Sequence, residues 1–214
     1  MDNDRQQLVK DGFIVFEGLD GAGTTTQCAR LSQRLSRSGI AHRTTHEPTG
    51  NTIGLLIKSL LKGKGSVHPG TMAYLFAADR HEHVYGEEQG IMANLQKGTI
   101  VLSDRYLFSS LAYQSVESPF HFILSLNDRF PLPGHVFFLE TPVEECMDRI
   151  SGRDEKELYE YAEFQKKVRA NYDKSFSWCA QSSCRIHMID GLKKEEEISA
   201  EIWTILESTP ILKR

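Results

Sequence analysis

Residues 13–27 read Phe-Ile-Val-Phe-Glu-Gly-Leu-Asp-Gly-Ala-Gly-Thr-Thr-Thr-Gln, an apolar run that ends in glycines and passes straight into a helical pattern. Phe13, Ile14, Val15 and Phe16 read as a strand buried on both faces, and residues 24–38 place Ala29, Leu31 and Leu35 inward on a helix. A strand, a Gly-rich turn and a helix in that order aim backbone N–H groups and a helix N-terminus at one spot. Gly18, Gly23 and Thr25 fill three of the four fixed places of the phosphate-binding pattern G-x-x-x-x-G-K-[ST]. The fourth place belongs to the lysine that reaches the β- and γ-phosphates, and here it is Thr24. Gly21 and Gly23 can take positive φ and let the main chain approach an anion closely. Gly-rich turns of this kind also occur with no ligand, so other parts of the chain must decide.

Strand patterns recur at 41–46, 99–103, 136–140 and 185–189. Helical patterns fall at 52–61, at 71–97 with a break near Gly86 or Gly90, and at 108–116, 142–150, 155–180 and 193–206. Five short strands separated by helices imply an α/β fold, a parallel sheet covered on both sides. Such sheets bind ligands beyond the carboxyl ends of their strands. Gly18 and Gly23, Glu47-Pro48-Thr49, Asp104-Arg105-Tyr106 and Asp190-Gly191 all fall at those ends.

Composition narrows the partners. The length of 214 residues suits one domain, or one with a small lid. Twenty-five basic against 29 acidic side chains give a formal charge of -4, which suggests no general nucleic-acid or membrane partner. No apolar run approaches the roughly 20 residues of a membrane span. Residues 1–10 are charged and lack an apolar signal core, so export is not expected and a cytoplasmic location is. Cys28, Cys146, Cys179 and Cys184 have no repeated C-x-x-C spacing and read as reduced thiols.

Asp104-Arg105-Tyr106 follows the apolar run Ile100, Val101, Leu102. An aspartate at a strand end can enter a magnesium shell, and an arginine can grip a phosphate through two parallel hydrogen bonds. A salt-bridged strand end is the plainer reading. Phe76 and Arg80 stand four apart on a helical stretch and share a face, an aromatic plate beside a bidentate donor. That pair suits a planar heterocycle, although a core phenylalanine with a surface arginine is commoner.

Taken together, these segments resemble the thymidylate kinases, P-loop enzymes that move a phosphate from ATP to dTMP. The resemblance is carried by Phe16-Glu17-Gly18-Leu19-Asp20-Gly21-Ala22-Gly23, Thr25-Thr26-Gln27, Glu47-Pro48 and Leu75-Phe76-Ala77-Ala78-Asp79-Arg80. It continues through Asp104-Arg105-Tyr106, Ser109, Ala112-Tyr113-Gln114 and the stretch from Arg149 to Arg153 and Asp154. It implies a P-loop NTPase three-layer fold over residues 1–214, with five parallel strands flanked by helices and a short lid near 149–157. On it, Gly18, Gly21, Ala22, Gly23, Thr24, Thr25 and Thr26 would wrap the ATP phosphates, with Thr25 and Asp104 on Mg2+. Phe76 would stack on thymine and Arg80 would bond a base carbonyl. Arg105 would hold the acceptor phosphate, and Gln114 with Ser109 would read the base edge. Tyr113 would crowd the 2′ side of the sugar and Asp20 would approach its 3′-hydroxyl, with Glu47 and Pro48 lining the same pocket. Arg149 and Arg153 would close over ATP. A homodimer is also implied.

Three departures stand out. Thr24 removes a fixed cation, a loss on the order of 10²–10³ in rate by analogy with other charge-stabilising donors. Gly21 occupies a place where some family members carry an arginine, so Arg153, with Arg149 assisting, becomes the candidate for the missing charge. His46 stands where bacterial relatives usually have arginine, and Thr49-Gly50-Asn51 replaces Gly-Gly-Thr, with Lys58 offering a nearby cation. The remaining histidines read as structural. Glu17 is given a supporting role, beside the plainer reading of a buried strand-end carboxylate. Phosphoryl transfer asks mainly for alignment and charge stabilisation. Two readings stay open, a working dTMP kinase and a catalytically impaired nucleotide-binding relative with a sensor or partner role. A deoxynucleoside kinase is a weaker third.

Overall fold

The computed structural model describes residues 8–150 and 155–213, with the side chains of 8–150 and 161–212. Five strands, β1 (Val9–Gly18), β2 (His42–His46), β3 (Ile100–Asp104), β4 (Leu132–Glu140) and β5 (Arg185–Asp190), form one parallel sheet in the order β2-β3-β1-β4-β5. The helices flanking it are α1 (Thr24–Arg37), α2 (Thr52–Leu61), α3 (Pro69–Tyr85), α4 (Ile91–Gln96), α5 (Leu107–Tyr113), α6 (Phe120–Asn127), α7 (Val143–Arg149), α8 (Glu155–Cys179) and α9 (Glu195–Glu207). Phe13, Ile14, Val15 and Phe16 are all buried with no alternation, which requires cover on both faces of the central strand. The expected architecture is the observed one.

The differences have local causes. β1 and β4 begin earlier than the apolar runs suggest, pairing Val9 with Leu132 and Lys10 with Pro133 before the register shifts between Lys10 and Ile14. Polar residues and a proline disguise that stretch, and the irregularity accommodates a residue with no N–H. The helical pattern 71–97 is two helices, and Gly90 donates its N–H to Gly86 O at 3.0 Å across the break. The pattern 108–116 is α5 followed by a 3-10 turn, Gln114–Val116. On α1, Ala29 is exposed rather than inward, and the buried stripe is Thr24, Gln27, Cys28, Leu31 and Leu35. α6 has no counterpart in the sequence reading: at eight residues it is too short for its periodicity to stand out.

Register gathers the four loop segments at one edge. Asp104 lies beside both Phe16 and His46, Gly18 beside Leu139, and Glu140 beside Asp190. α2 starts directly over the loop after β2, where Asn51 Oδ1 caps it by accepting from Gly54 N at 3.0 Å. Thr49 in that loop is fixed from α3, donating N–H and Oγ1–H to the Asp79 carboxylate at 2.8 and 2.6 Å. A Cβ on Gly54 would stand 2.2 Å from Thr49 O. Gly54→Ala therefore has to push α2 off the loop, and is expected to destabilise the protein by about 1–3 kcal/mol. The readout is a lower urea midpoint at unchanged m-value; an unchanged midpoint would contradict this packing.

Candidate active site

Gly21 and Gly23 take φ of 88° and 99°, the left-handed conformations that a turn from β1 into α1 needs. Gly21 also leaves no room for a side chain, since a Cβ would stand 2.6 Å from Cys146 O. Gly23 at the N-cap of α1 brings no side chain to the first N–H groups of the helix, an arrangement that suits an anion there. Thr24 is only 6% exposed, and its methyl lies under the turn, 3.3 Å from where a Cβ on Gly18 would be. It fills space beneath the loop and adds no charge. Ala22 is buried, Thr26 half-buried and Thr25 exposed.

Thr25 Oγ1 donates to Asp104 Oδ2 at 2.5 Å. The other oxygen, Oδ1, is buried and has no hydrogen-bond partner among the described residues. A hydroxyl and a half-satisfied carboxylate side by side suit a hard cation that draws the rest of its shell from phosphate and water. Among the described residues no group of three or more His, Cys, Asp and Glu could hold a metal by itself.

Arg105 has an unusual backbone, φ 71°, with its N–H on Phe16 O at 2.9 Å. Its Nη1 donates to Gly18 O at 2.9 Å and to Ser109 Oγ at 3.2 Å, and its Nη2 to Asp20 Oδ1 at 2.6 Å. Asp20 also accepts from the Tyr113 hydroxyl at 2.9 Å, from the Tyr161 hydroxyl, and from Gln165 Nε2 at 3.3 Å. Ser109, expected near the base, instead donates to Glu17 Oε2 at 2.5 Å. Glu17 is fully buried, and burial pushes its carboxyl up to about 7 against the opposing pull of Ser109, Arg105, Tyr172 and Tyr106.

On the β2 side, Glu47 precedes a cis peptide to Pro48. Its Oε2 accepts from Arg80 Nε at 3.0 Å and Nη2 at 2.6 Å, and its Oε1 faces His83 Nδ1 at 3.0 Å. Burial alone would raise this carboxyl, but Arg80 and His83 hold it below its ordinary value. Arg80 is 1% exposed, and it also donates to Asn127 Oδ1 and, at 2.8 Å, to Ser110 Oγ. Four of its five donors are thus committed inside the protein. Phe76, one turn earlier on α3, is half-buried. Gln114 Nε2 reaches Ser110 Oγ at 3.4 Å, while its Oε1 is buried with no partner among the described residues. His46 Nε2 lies 3.0 Å from Lys58 Nζ, and burial together with Lys58 keeps the imidazole neutral at pH 7 by lowering its pKa.

Arg149 closes the far side of the turn, with Nη1 3.5 Å from Gly21 O and Nη2 3.1 Å from Gly191 O. Arg153 and the rest of 151–154 lie outside the described residues. Sequence reasoning missed Tyr161, Gln165 and Tyr172 on α8, Asn127 on α6, and Ser110. A signal existed for α8, because Gln165, Val168, Tyr172, Ser175 and Cys179 recur at helical spacing and are all buried.

A Gly-rich turn on the central strand, a hydroxyl–carboxylate pair at its mouth and arginines on two of its carbonyls define a P-loop α/β protein made to hold phosphates. The chain belongs to the thymidylate kinase family, which matches it over residues 16–202. It is 42% identical over 186 residues to a protein of Treponema pallidum (strain Nichols), covering 86% of this chain and 88% of that one. It is 39% identical to a protein of Thermococcus onnurineus (94% and 100% covered) and 37% identical to one of Thermococcus kodakarensis (92% and 97%). All three are named, provisionally, as thymidylate kinases.

Two outcomes follow from the buried carboxylates. Arg80→Met strands the Glu47 charge and is expected to cost about 3–5 kcal/mol in urea unfolding, whereas a loss below about 1 kcal/mol would mean the pair is not load-sharing. Glu17 has a folded pKa of about 7 against an ordinary 4.5, so its contribution to stability is complete below about pH 4.5 and is lost as pH rises through 7. Glu17→Gln cannot ionise. Its stability relative to the parent is expected to rise between about pH 5 and 8, by on the order of 3 kcal/mol, and a difference flat with pH would refute the shift.

Proposed function

We propose that this chain transfers the γ-phosphate of ATP to dTMP, giving dTDP. The observation that carries the reading is the seat of Arg105, on the P-loop's own Gly18 carbonyl. Among the described residues nothing accepts from its Nε, so one edge of the guanidinium remains for an anion beside the donor phosphates.

The main-chain N–H groups of Gly21 and of Gly23 to Thr26 wrap the donor phosphates, while that of Ala22 holds the loop together by donating to Leu19 O at 3.1 Å. Thr25 and Asp104 would hold Mg2+, which when bound neutralises charge on the β- and γ-phosphates. Arg105 binds the acceptor phosphate. That phosphate is already a nucleophile at neutral pH, so no general base is called for, and alignment is the main requirement. Arg149, tied to Gly21 O and Gly191 O, brings a cation to the side of the loop away from Arg105. With Arg153 it takes over the charge that Thr24 cannot supply.

On the base side, Phe76 stacks on thymine and the fifth donor of Arg80 bonds a ring carbonyl. The unpartnered Gln114 Oε1 suits the imide N–H of thymine. Tyr113 and Asp20 line the sugar. Ser109 works on the phosphate side through Arg105 rather than on the base edge. A homodimer is supported by the exposed apolar side chains of α2, with Leu55 57% and Leu61 62% exposed. Four free cysteines support a reducing compartment such as the cytoplasm. No helix among the described residues is long and apolar enough to cross a membrane.

The test is ADP formation from Mg-ATP with dTMP, dUMP or thymidine, on the parent and Thr24→Lys side by side. Turnover that depends on dTMP in the parent is the expected result. No parent turnover, with dTMP bound and activity gained only by Thr24→Lys, would overturn the reading in favour of a disarmed nucleotide binder.

A further inference from the structure

Glu17 is the penultimate residue of β1, just before the P-loop turn, and its carboxylate takes four hydrogen bonds. Oε1 accepts from Tyr106 N at 2.9 Å and Ser109 N at 3.2 Å, and Oε2 from Ser109 Oγ at 2.5 Å and the Tyr172 hydroxyl at 2.9 Å. α5 has no side-chain cap from its own N-cap residue, Tyr106, so Glu17 caps it from the neighbouring strand. The same two hydroxyls face Arg105, whose Nη1 lies 3.2 Å from Ser109 Oγ and 3.4 Å from the Tyr172 oxygen.

Each hydroxyl has a single proton. While Glu17 is ionised, both protons point to it, and the hydroxyl lone pairs face a guanidinium that can only donate. Each link from carboxylate through a hydroxyl to the arginine then has matched polarity, while the Ser109 and Tyr172 oxygens, 2.9 Å apart, have no proton between them. A proton on Oε1 would oppose two backbone N–H donors and uncap α5. A proton on Oε2 would force a hydroxyl to turn its own proton away. Ser109 would turn it to the Tyr172 oxygen, 2.9 Å away, and so send the Tyr172 proton elsewhere. Tyr172 has a second acceptor, Gly18 O at 3.2 Å, which is the carbonyl that also receives Arg105 Nη1.

We infer that Glu17 is a positioning residue for phosphoryl transfer: through Ser109 and Tyr172 its carboxylate holds Arg105 against the P-loop in the orientation that grips the acceptor phosphate, and protonation of Glu17 releases that grip. The inference rests on the dTMP kinase reading above. The groups facing Glu17 are Arg105 and Tyr106 from the turn after β3, Ser109 from α5, Tyr172 from α8 and, from β4, the apolar Phe138 in register with it. Asp20 reaches it through Arg105, and Tyr113 through Arg105 and through the Tyr172 ring. Tyr113 and Tyr172 are pushed well above the ordinary phenol range, first by burial, and remain donors at neutral pH. With the Glu17 carboxyl raised by burial to about 7, it is the group in this cluster that changes state near neutrality.

The experiment is kcat/KM for dTMP across about pH 6 to 8.5 for the parent and Glu17→Gln, with dTMP affinity by calorimetry on the same proteins. The second ionisation of the dTMP phosphate, near 6, is common to both, so the ratio of the two profiles isolates Glu17. The parent is expected to exceed Glu17→Gln by about 10- to 100-fold at about pH 8, mostly in KM for dTMP. The ratio falls toward one at about pH 6, where the parent carries the proton. A ratio constant with pH overturns the inference. Tyr172→Phe keeps the ring and removes one donor to the carboxylate, so the acid limb of the parent profile is expected to move up by about half a pH unit or more. An unmoved limb overturns the inference even if Glu17→Gln fails to fold. A parent with no dTMP turnover at any pH would sink the kinase reading alone, and dTMP affinity would then decide. Binding that weakens about tenfold more toward acid in the parent than in Glu17→Gln supports the positioning role, and equal pH dependence overturns it.

Discussion

Arg105 leaves β3 with φ at 71°, a conformation that costs a non-glycine residue on the order of 1–3 kcal/mol. The cost is offset because its N–H still finds Phe16 O and its guanidinium finds Gly18 O and Asp20. The turn this conformation makes throws the side chain back over the central strand instead of out into solvent. Without that kink, the arginine of one strand end and the glycine loop of the next would not share a carbonyl. The rest of the site is arranged around the contact: α5 starts beside it, α8 lies across it, and Asp104 stands one residue before it.

A second buried cluster does comparable work for the opposite half of the pocket. Arg80, Glu47, His83 and Asn127 come from α3, the loop after β2 and α6, and they leave little of the guanidinium for any ligand. Two ionised groups this deep are an expensive way to hold a loop, and their main return is a defined geometry rather than net stability. The two arginines thus divide the labour: Arg105 keeps an edge for an anion, and Arg80 fixes the wall against which a base would lie.

The sheet could be read from the chain because its signals are short-range. β1, β3 and β5 end in Gly or Asp, and β2, though polar, runs into Glu-Pro; those endings put Gly18, Glu47, Asp104 and Asp190 at one edge. What could not be read were partnerships between distant residues. Nothing local marks Arg80 as the mate of Glu47, and an arginine four places after a phenylalanine looks like a surface residue. The resemblance set Ser109 beside Gln114 at the base edge, and nothing local shows that its hydroxyl turns to Glu17 on a strand. Tyr172 carries no motif at all, and only the buried stripe along α8 hints that its hydroxyl faces inward. The polar start of β1 and the proline in β4 hid their pairing for a different reason, since each breaks the apolar pattern where the strands bulge.

The strand order also sets a timetable. Phe13 pairs with Val101 and Ile14 with His135, while β2 is an edge strand that pairs, among the described residues, with β3 alone. As the chain emerges from the ribosome at about 5–20 residues per second, β1 and β2 are present together for several seconds with nothing to pair with. The apolar run from Phe13 to Phe16 spends that interval uncovered, a candidate client for holding chaperones. The glycine loop is among the first segments made, yet it acquires its geometry only when β3 and β4 arrive on either side.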